Sequence, residues 1–315
     1  MHSSDMMSDL MARTELRVGG YAPIGSVHSL ALEHFRDFMH DQSDGSVHVD
    51  ILYNIMDLDR PVGALIDMAG TGELDLTYMS ASYFGDDVSE MNALEIPYLF
   101  PTLSDAHRAL DGELGRELTD AVSRKINLSV LGFWDNGFRH LTNSVRPIRS
   151  PADCQGLTIR LQPNQIHEAL ARSWGMTPIT AELSEGIAMI TSGAVNAQEN
   201  PLANSVAYGV PHTHITMSAH LYGARAVLAG PDWQDRFDAE TATMIRDGAR
   251  SAIEFQRGAA EAYEAVLRKN LEDEGRQFVD LSPEENEAFR SAASDVIADA
   301  YAELPSELRA ALPKT

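Results

Sequence analysis

Residues 15–53 read ELRVGGYAPIGSVHSLALEHFRDFMHDQSDGSVHVDILY, and this stretch decides the fold class. Its first part, Leu16–Tyr21, is typical of a strand that ends in a glycine-containing loop. Its last part, Val47–Tyr53, alternates apolar and polar residues as a strand does. Between them, apolar residues recur three and four positions apart, which predicts a helix over Val27–Asp41.

The same alternation continues after this stretch. A helix is predicted to begin near Pro61, since proline suits the first turn of a helix, and a strand is predicted over Leu74–Met79. The resulting β-α-β-α-β order predicts an α/β fold with a mostly parallel sheet and helices on both faces.

A second α/β unit is predicted in the middle of the chain. Apolar runs predict strands at Leu128–Trp134, Gly156–Leu161 and Val195–Gln198. Helices are predicted over Ile166–Trp174 and Glu182–Ser192, each followed by a glycine that ends it. No repeat or flexible linker separates the two units, so we expect ordered connections between them.

Two helices are predicted in the last third of the chain. Residues 231–273 have helical composition and contain no proline after Pro231. A helix of that length is about 60 Å long, which is enough to span two lobes. Another helix is predicted to begin at Ser282, because the serine caps it, Pro283 fits its first turn and the next glutamates complement its dipole.

Composition excludes several classes of protein. Asp and Glu total 47 against 24 Lys and Arg, and the net charge of -23 argues against binding to nucleic acid and to an anionic membrane surface. The sequence contains no run of about 18 or more apolar residues, so we expect no direct membrane insertion. The single cysteine, Cys154, allows neither an internal disulfide nor a cysteine zinc site. Residues 1–12 do not resemble a signal peptide, so we expect either a cytosolic protein or one whose leader was removed and its start remade.

Motifs for catalysis are missing from the sequence. It contains no G-x-S-x-G, H-E-x-x-H, G-x-x-x-x-G-K or G-x-G-x-x-G pattern. His212, His214 and His220 lie close together, and imidazole is a common metal ligand. No acid or cysteine stands at the usual ligand spacing, so the alternative is a loop and strand edge where at most one histidine meets a ligand. We expect no metal and no cofactor.

Arginine placement carries the functional signal. Arg160 lies on an apolar strand, where an isolated charge is costly to bury and needs a partner. That partner is either a carboxylate of the protein or a bound anion, which the guanidinium fork fits well. Arg139, just after the apolar strand that ends at Trp134, is a second candidate, and Asn200 could donate an amide hydrogen bond to the same anion.

Six segments of the chain carry a family resemblance: Glu95–Phe100 (EIPYLF), Gly137–Ser144 (GFRHLTNS), Pro147–Ile148, Gly156–Arg160 (GLTIR), Gly193–Leu202 (GAVNAQENPL) and Ser218–His220 (SAH). They resemble the dicarboxylate-binding (DctP) type of extracytoplasmic solute-binding proteins that serve TRAP transporters. The similarity runs from about Glu15 to the C-terminus with consistent order and spacing.

The resemblance implies a two-lobed periplasmic-binding-protein fold, type II-like, with a cleft between the lobes and a long helix that bridges them. The lobes are expected to be discontinuous. Residues 14–137 with about 226–265 would form lobe I, and 138–225 with about 266–315 would form lobe II.

The same resemblance implies roles for single residues. Arg160 matches the arginine that grips the substrate carboxylate, Arg139 a supporting arginine and Asn200 the asparagine bonded to that carboxylate. Polar residues expected around the ligand are Tyr21, Ser80, Gln162, Glu199 and His220. Asn196 stands where the family usually has aspartate, a departure expected to change little because it precedes the site.

We therefore expect a periplasmic binding protein, its signal peptide removed, that performs no chemistry. It would capture a small carboxylate-bearing organic acid, with a sugar acid or hydroxy acid favoured, by an arginine clamp and cleft closure. Its partners would be this acid and the TRAP membrane permease subunits, and a monomer is expected.

Two other functions stay open from the sequence. One is a sensory or scavenging binder of organic acids that is not coupled to transport. The other is an enzyme with its active site in the cleft, against which stands the missing set of nucleophile, base and orienting residue.

Overall fold

The computed structural model describes residues 14–85 and 87–313, which form two compact units. Of these residues, the first unit comprises 14–79, 127–134 and 226–259, and the second comprises 80–85, 87–126, 135–225 and 260–313. Residues 80–126 belong to the second unit, although they fall in lobe I of the sequence prediction. The predicted lobes are defined by function and not by compactness, so their boundaries stay a prediction.

The first unit contains three parallel strands, β1 (Thr14–Gly19), β2 (Val47–Leu52) and β3 (Leu76–Ser80, whose last residue begins the second unit). β1 pairs in parallel with both β2 and β3. Helices α1 (Val27–Gln42) and α2 (Ala64–Thr71) connect the three strands. The predicted β-α-β-α-β order is therefore confirmed.

Among the described residues, the second unit contains six further strands or parts of strands, and a short one lies between two of the others. They are β4 (Ser129–Asn143), β5 (Thr158–Leu161), β6 (Thr177–Thr180), β7 (Ala197–Asn200), β8 (His214–Ala229) and β9 (Gln277–Asp280). β7 pairs antiparallel with β4 and parallel with β5, which is parallel to β6. β9 runs parallel to β8. The long strands β4 and β8 each contribute residues to both units.

Helices cover much of the second unit. They are α3 (Leu103–Leu110), α4 (Glu113–Ile126), α5 (Gln165–Ser173), α6 (Leu183–Ser192), α7 (Leu202–Ala207), α9 (Pro283–Ala292), α10 (Ser294–Glu303) and α11 (Ser306–Ala311). α9 begins with the predicted cap, since the Ser282 hydroxyl accepts from Glu285 N and the Glu285 carboxylate accepts from Ser282 N.

The predicted long helix is present as α8, which spans Ala239–Asp273 and contains 35 residues. It begins eight residues later than predicted, because Trp233–Arg236 form a separate 3-10 helix and Asp238 accepts a hydrogen bond from Thr241 N at 2.8 Å. α8 contributes residues to both units, with the division after residue 259.

An apolar core holds β5 in the second unit. Ile159 and Leu161 of β5 pack with Leu170 and Trp174 of the α5 segment and with Phe289 of α9. Trp174 also donates a hydrogen bond from Nε1 to the Phe289 carbonyl at 3.0 Å. Burial of such side chains stabilises a fold by about 1.5–3 kcal/mol each, so β5 is firmly placed.

Candidate functional site

Arg160 lies between two core residues of β5. Ile159 and Leu161 are each 1% exposed and enter the apolar core. Because side chains alternate along a strand, Arg160 points to the opposite face, where it is 4% exposed. Its Nη2 donates a hydrogen bond to the Ala181 carbonyl at 2.6 Å. The strand therefore fixes a buried guanidinium at a defined point.

The Arg160 charge is not neutralised by a close carboxylate. Within residues 14–85 and 87–313, it forms no ion pair of 4 Å or less, and its Nε has no hydrogen-bond partner. Burial lowers the pKa of Arg160, while Tyr83 and the more distant Glu199 carboxylate oppose that shift. Burial raises the pKa of the half-buried Glu182, and the Arg160 charge opposes this. A buried cation without a close counterion is costly, so an anionic ligand would complete its surroundings.

Helix α6 leaves room for this guanidinium at Gly186. A Cβ atom added to Gly186 would lie 2.8 Å from Arg160 Cζ and 2.9 Å from Cδ, and closer still to Nε. Contacts this short do not occur in folded proteins, so any larger residue here would displace the arginine. Gly186 therefore determines where the charge of Arg160 can lie.

Arg139 has a carboxylate partner in the protein. The residue lies inside β4, which corrects the prediction that it follows the strand, because the strand continues to Asn143. Its Nε and Nη2 both donate to the Glu199 carboxylate, with Nη2 at 2.8 Å from Oε1. The two side chains are 1% and 6% exposed, so they form a buried bidentate ion pair. Arg139 and Glu199, which were both predicted to contact the ligand, thus bind each other.

Glu199 is also the centre of a wider buried network. His167 Nε2 lies 2.6 Å from Glu95 Oε2, and its Nδ1 lies 3.6 Å from Glu199 Oε1. His220 Nε2 lies 3.6 Å from Glu199 Oε2. Two carboxylates therefore face one arginine and two histidines.

Three members of this network have shifted pKa values. Burial alone would raise the pKa of Glu199, but Arg139, His167 and His220 hold it well below its usual range. Burial opposes protonation of His167, yet Glu199 and Glu95 raise its pKa to about 9. Burial lowers the pKa of His220. Near neutral pH, the ionised Glu199 therefore lies beside two positive charges, those of Arg139 and protonated His167.

Three other predicted contacts lie in the second unit. Asn200 ends β7, is 5% exposed, and accepts a hydrogen bond on Oδ1 from Asn204 Nδ2 at 3.1 Å. Gln162 directly follows β5 and is 7% exposed. Ser80 Oγ lies 3.2 Å from Ser82 Oγ. Each is a buried polar residue near a strand end.

Tyr21 is the one predicted contact in the first unit. It is 3% exposed, and its backbone N–H donates to the Tyr78 hydroxyl at 3.2 Å. The rings of Tyr21 and Tyr78 lie 5.1 Å apart. An isolated β-bridge to Asn54 holds its backbone.

The three neighbouring histidines do not share a site. His212 Nδ1 lies 2.9 Å from Thr142 Oγ1, whereas His220 contacts Ser218 and Glu199. In the part of the chain that the structure describes, no three His, Cys, Asp or Glu side chains are placed to hold a metal ion.

Comparison with known protein families identifies the chain. Residues 18–307 match the family model DctP, described as bacterial extracellular solute-binding protein, family 7. The chain belongs to this family. The match covers both compact units, so the resemblance predicted from the sequence is confirmed.

Relatives of this family 7 protein include several acid-binding proteins. It is 25% identical to the 2,3-diketo-L-gulonate-binding periplasmic protein YiaO of Escherichia coli, over 92% of this chain and 88% of that protein. The sugar acid binding protein of Advenella mimigardefordensis, solved with galactonate, is 26% identical with a TM-score of 0.88, covering 95% and 96% of the two chains. A TRAP periplasmic solute-binding protein from a Polaromonas species, bound to D-erythronate, is 25% identical with a TM-score of 0.87, covering 96% and 100%.

These similarities confirm the predicted fold of the family 7 protein, which is that of the two-lobed periplasmic binding proteins. Members of the family are extracytoplasmic substrate-binding proteins rather than enzymes, and they work with membrane permease subunits. Among the described residues of this chain, no helix is both long and apolar enough to cross a membrane.

A third buried arginine of this family 7 protein was not predicted from the sequence. Arg225 on β8 is 1% exposed and donates to Asn136 Oδ1 from Nη2 at 2.8 Å. The signal was present, because Arg225 interrupts the apolar run from Tyr222 to Leu228 just as Arg160 interrupts its own strand. Asn204, which also contacts Asn136, carried no comparable signal.

Proposed function

We propose that this protein captures a small organic acid outside the cytoplasm, in the periplasm, and delivers it to TRAP permease subunits. The observation that carries the proposal is the buried Arg160, whose guanidinium has no carboxylate within 4 Å among the described residues. A ligand carboxylate would supply the missing counterion.

The arginine fork gives this binding its strength. Each charge-assisted hydrogen bond between a guanidinium and a carboxylate contributes about 1.5–3 kcal/mol. Micromolar affinity needs about 8 kcal/mol in total, so two such bonds supply a large share. Asn200 would add an amide donor to the same carboxylate, and the remainder would come from the polar groups around the ligand body.

Arg139 and Glu199 have a supporting role in this proposal. The guanidinium of Arg139 already binds the Glu199 carboxylate through Nε and Nη2. Their pairing joins β4 to β7, at the register where Leu141 faces Glu199. We therefore assign the main contact with the ligand carboxylate to Arg160, and a supporting role to Arg139 of β4. Glu199 and His220 would act indirectly, through Arg139.

A sugar acid or hydroxy acid is the favoured substrate class. The relatives described above bind diketogulonate, galactonate and erythronate, which all carry a carboxylate and further oxygen atoms. Ser80, Gln162 and Tyr21 are polar residues that could bind hydroxyl groups. Closure of the two lobes on this ligand belongs to the same proposal, as does the absence of any chemical conversion.

A thermal-shift screen tests the proposal. D-galactonate, D-erythronate and D-glucuronate would be compared with galactitol and erythritol, which keep the hydroxyl groups but lack the carboxylate. A ligand at 100 times its Kd stabilises the folded protein by about 2.7 kcal/mol. We expect a clear rise in Tm for at least one acid and none for the uncharged polyols. Equal shifts for acid and polyol, or recovery of a converted acid, would contradict the proposal.

A further inference from the structure

A chain of side-chain hydrogen bonds leads from Arg225 to Asn200. Arg225 donates to Asn136 Oδ1 from Nε at 3.1 Å and from Nη2 at 2.8 Å, and Nη2 lies 3.4 Å from Asn204 Oδ1. Asn204 Nδ2 donates to Asn136 Oδ1 at 2.9 Å and to Asn200 Oδ1 at 3.1 Å. All four residues are at most 7% exposed and belong to the second unit.

Arg225 determines which way the asparagine amides in this series of hydrogen bonds face. The oxygen and nitrogen of an asparagine side chain have nearly the same shape, so an amide can face either way unless its partners decide. A guanidinium has donors only. Asn136 and Asn204 must therefore turn their oxygens toward Arg225, which leaves the Asn204 NH₂ group facing Asn200.

The orientation of the Asn204 amide in turn fixes that of Asn200. Its Oδ1 accepts the hydrogen bond from Asn204. Its own NH₂ group donates no hydrogen bond to any residue of 14–85 and 87–313, and it is not enclosed as a buried, unpartnered atom. Asn200 therefore keeps a donor free for a ligand while its acceptor is already used.

We propose that Arg225, acting through Asn204, holds the Asn200 amide with its NH₂ group toward the ligand carboxylate. This inference rests on the proposed function, in which Asn200 contacts that carboxylate. In the opposite orientation Asn200 would present its oxygen to the anion, and two acceptors would repel each other. Arg225 and Asn204 are thus positioning residues that favour a hydrogen-bond acceptor, such as a carboxylate oxygen, at Asn200.

The variant Asn204→Asp reverses the orientation with little change in shape. The introduced carboxylate still accepts from Arg225, but it has no proton to give to Asn200. Asn200 then turns its NH₂ group toward this carboxylate and its oxygen toward the ligand. We expect the Kd for D-galactonate or D-erythronate, whichever the wild type binds, to rise by about 30-fold or more.

Asn204→Ala provides the matched control. It removes the hydrogen bond to Asn200 without imposing the wrong orientation, so we expect a smaller rise in Kd, of about 3- to 10-fold. Asn204→Ala should nevertheless be the less stable of the two variants. The carboxylate of Asn204→Asp can pair with Arg225, whereas alanine leaves Arg225 and Asn136 with fewer partners. Urea unfolding of the ligand-free proteins therefore separates orientation from general damage.

The outcomes are distinct. Wild-type affinity in Asn204→Asp, or affinities of the two variants that follow their stabilities, would overturn the inference. If Arg160→Ala also binds like the wild type, the proposed function itself fails; if only Asn204→Asp does, the positioning role alone fails. Should Asn204→Asp not fold, Arg225→Gln gives a second test. Glutamine can present either end of its amide, so weaker binding is expected, and unchanged binding would overturn the inference.

Discussion

Gly186 of α6 lies directly against the guanidinium of Arg160 on β5. A Cβ atom at Gly186 would come within 2.8 Å of Arg160 Cζ, so the arginine occupies the space where a side chain would otherwise be. One residue without a side chain therefore makes room for the buried charge on the neighbouring strand. This relationship links a helix position far along the sequence to the residue that we assign to the ligand.

Gly186→Ala should weaken ligand binding while leaving the fold intact. Alanine favours a helix interior over glycine by about 1 kcal/mol, but its methyl group displaces Arg160. We expect the Kd for the bound acid to rise by about tenfold or more, since the arginine fork is misplaced. Isothermal titration calorimetry measures the affinity, and circular dichroism reports the helix content.

Gly258→Ala is the matched control for this variant. Gly258 lies within α8, and a Cβ atom added there would meet no atom within 4 Å. We expect unchanged affinity and equal or slightly higher stability. Equal affinity in Gly186→Ala and Gly258→Ala would show that the space beside Arg160 has no role in binding.

Glu199→Gln should destabilise the protein strongly. The substitution removes the counterion of Arg139 and one partner of His167, both of which are buried. Breaking a buried ion pair from one side costs about 3–5 kcal/mol. Denaturant unfolding of the ligand-free protein measures this loss. Glu185→Gln, which changes an exposed acid of α6, should have almost no effect, and a similar small effect of both variants would contradict a structural role for Glu199.

The stability of the protein should fall as pH rises through about 9. Glu199 and Glu95 raise the pKa of His167 from 6.5 to about 9. Because the folded pKa is the higher one, the contribution of protonated His167 is fully present below pH 6.5 and is lost by about pH 9. Between these values we expect the free energy of unfolding to fall by about 1.4 kcal/mol for each pH unit.

Unfolding curves at several pH values test this expectation. His167→Gln has no such proton to lose, so its stability should be lower near pH 7 but should change less toward pH 9. His48→Gln, at an exposed position of β2, should keep the slope of the wild type. The same slope in His167→Gln as in the wild type would show that another group causes the pH dependence.

The sequence predicted most elements, because their apolar periodicity was long enough to recognise. The strand before α1, the 35-residue α8 and the capped start of α9 are examples. β6, β8 and β9 were not predicted. In β6, Pro178 argues against a strand, since proline cannot donate to the hydrogen-bond ladder. The end of β4 was missed because Asp135, Asn136 and Gly137 interrupt its apolar run.

The site was predictable only in part. An arginine on an apolar strand marked Arg160, and the same pattern at Arg225 was overlooked. No pattern in the sequence could show that Glu199 pairs with Arg139 rather than a ligand, since the two residues lie 60 positions apart. The space provided by Gly186 is likewise a property of packing, not of sequence.

The central claim is that the Arg160 guanidinium binds the ligand carboxylate. Calorimetric titration of D-galactonate and D-erythronate into wild type, Arg160→Ala and Arg160→Lys tests it most directly, with the exposed Arg172→Ala as control. We predict a loss of about 100-fold or more in affinity for Arg160→Ala and about tenfold or more for Arg160→Lys, because a lysine cannot reproduce the fork. The control should bind like the wild type. Wild-type affinity in Arg160→Ala would contradict the account.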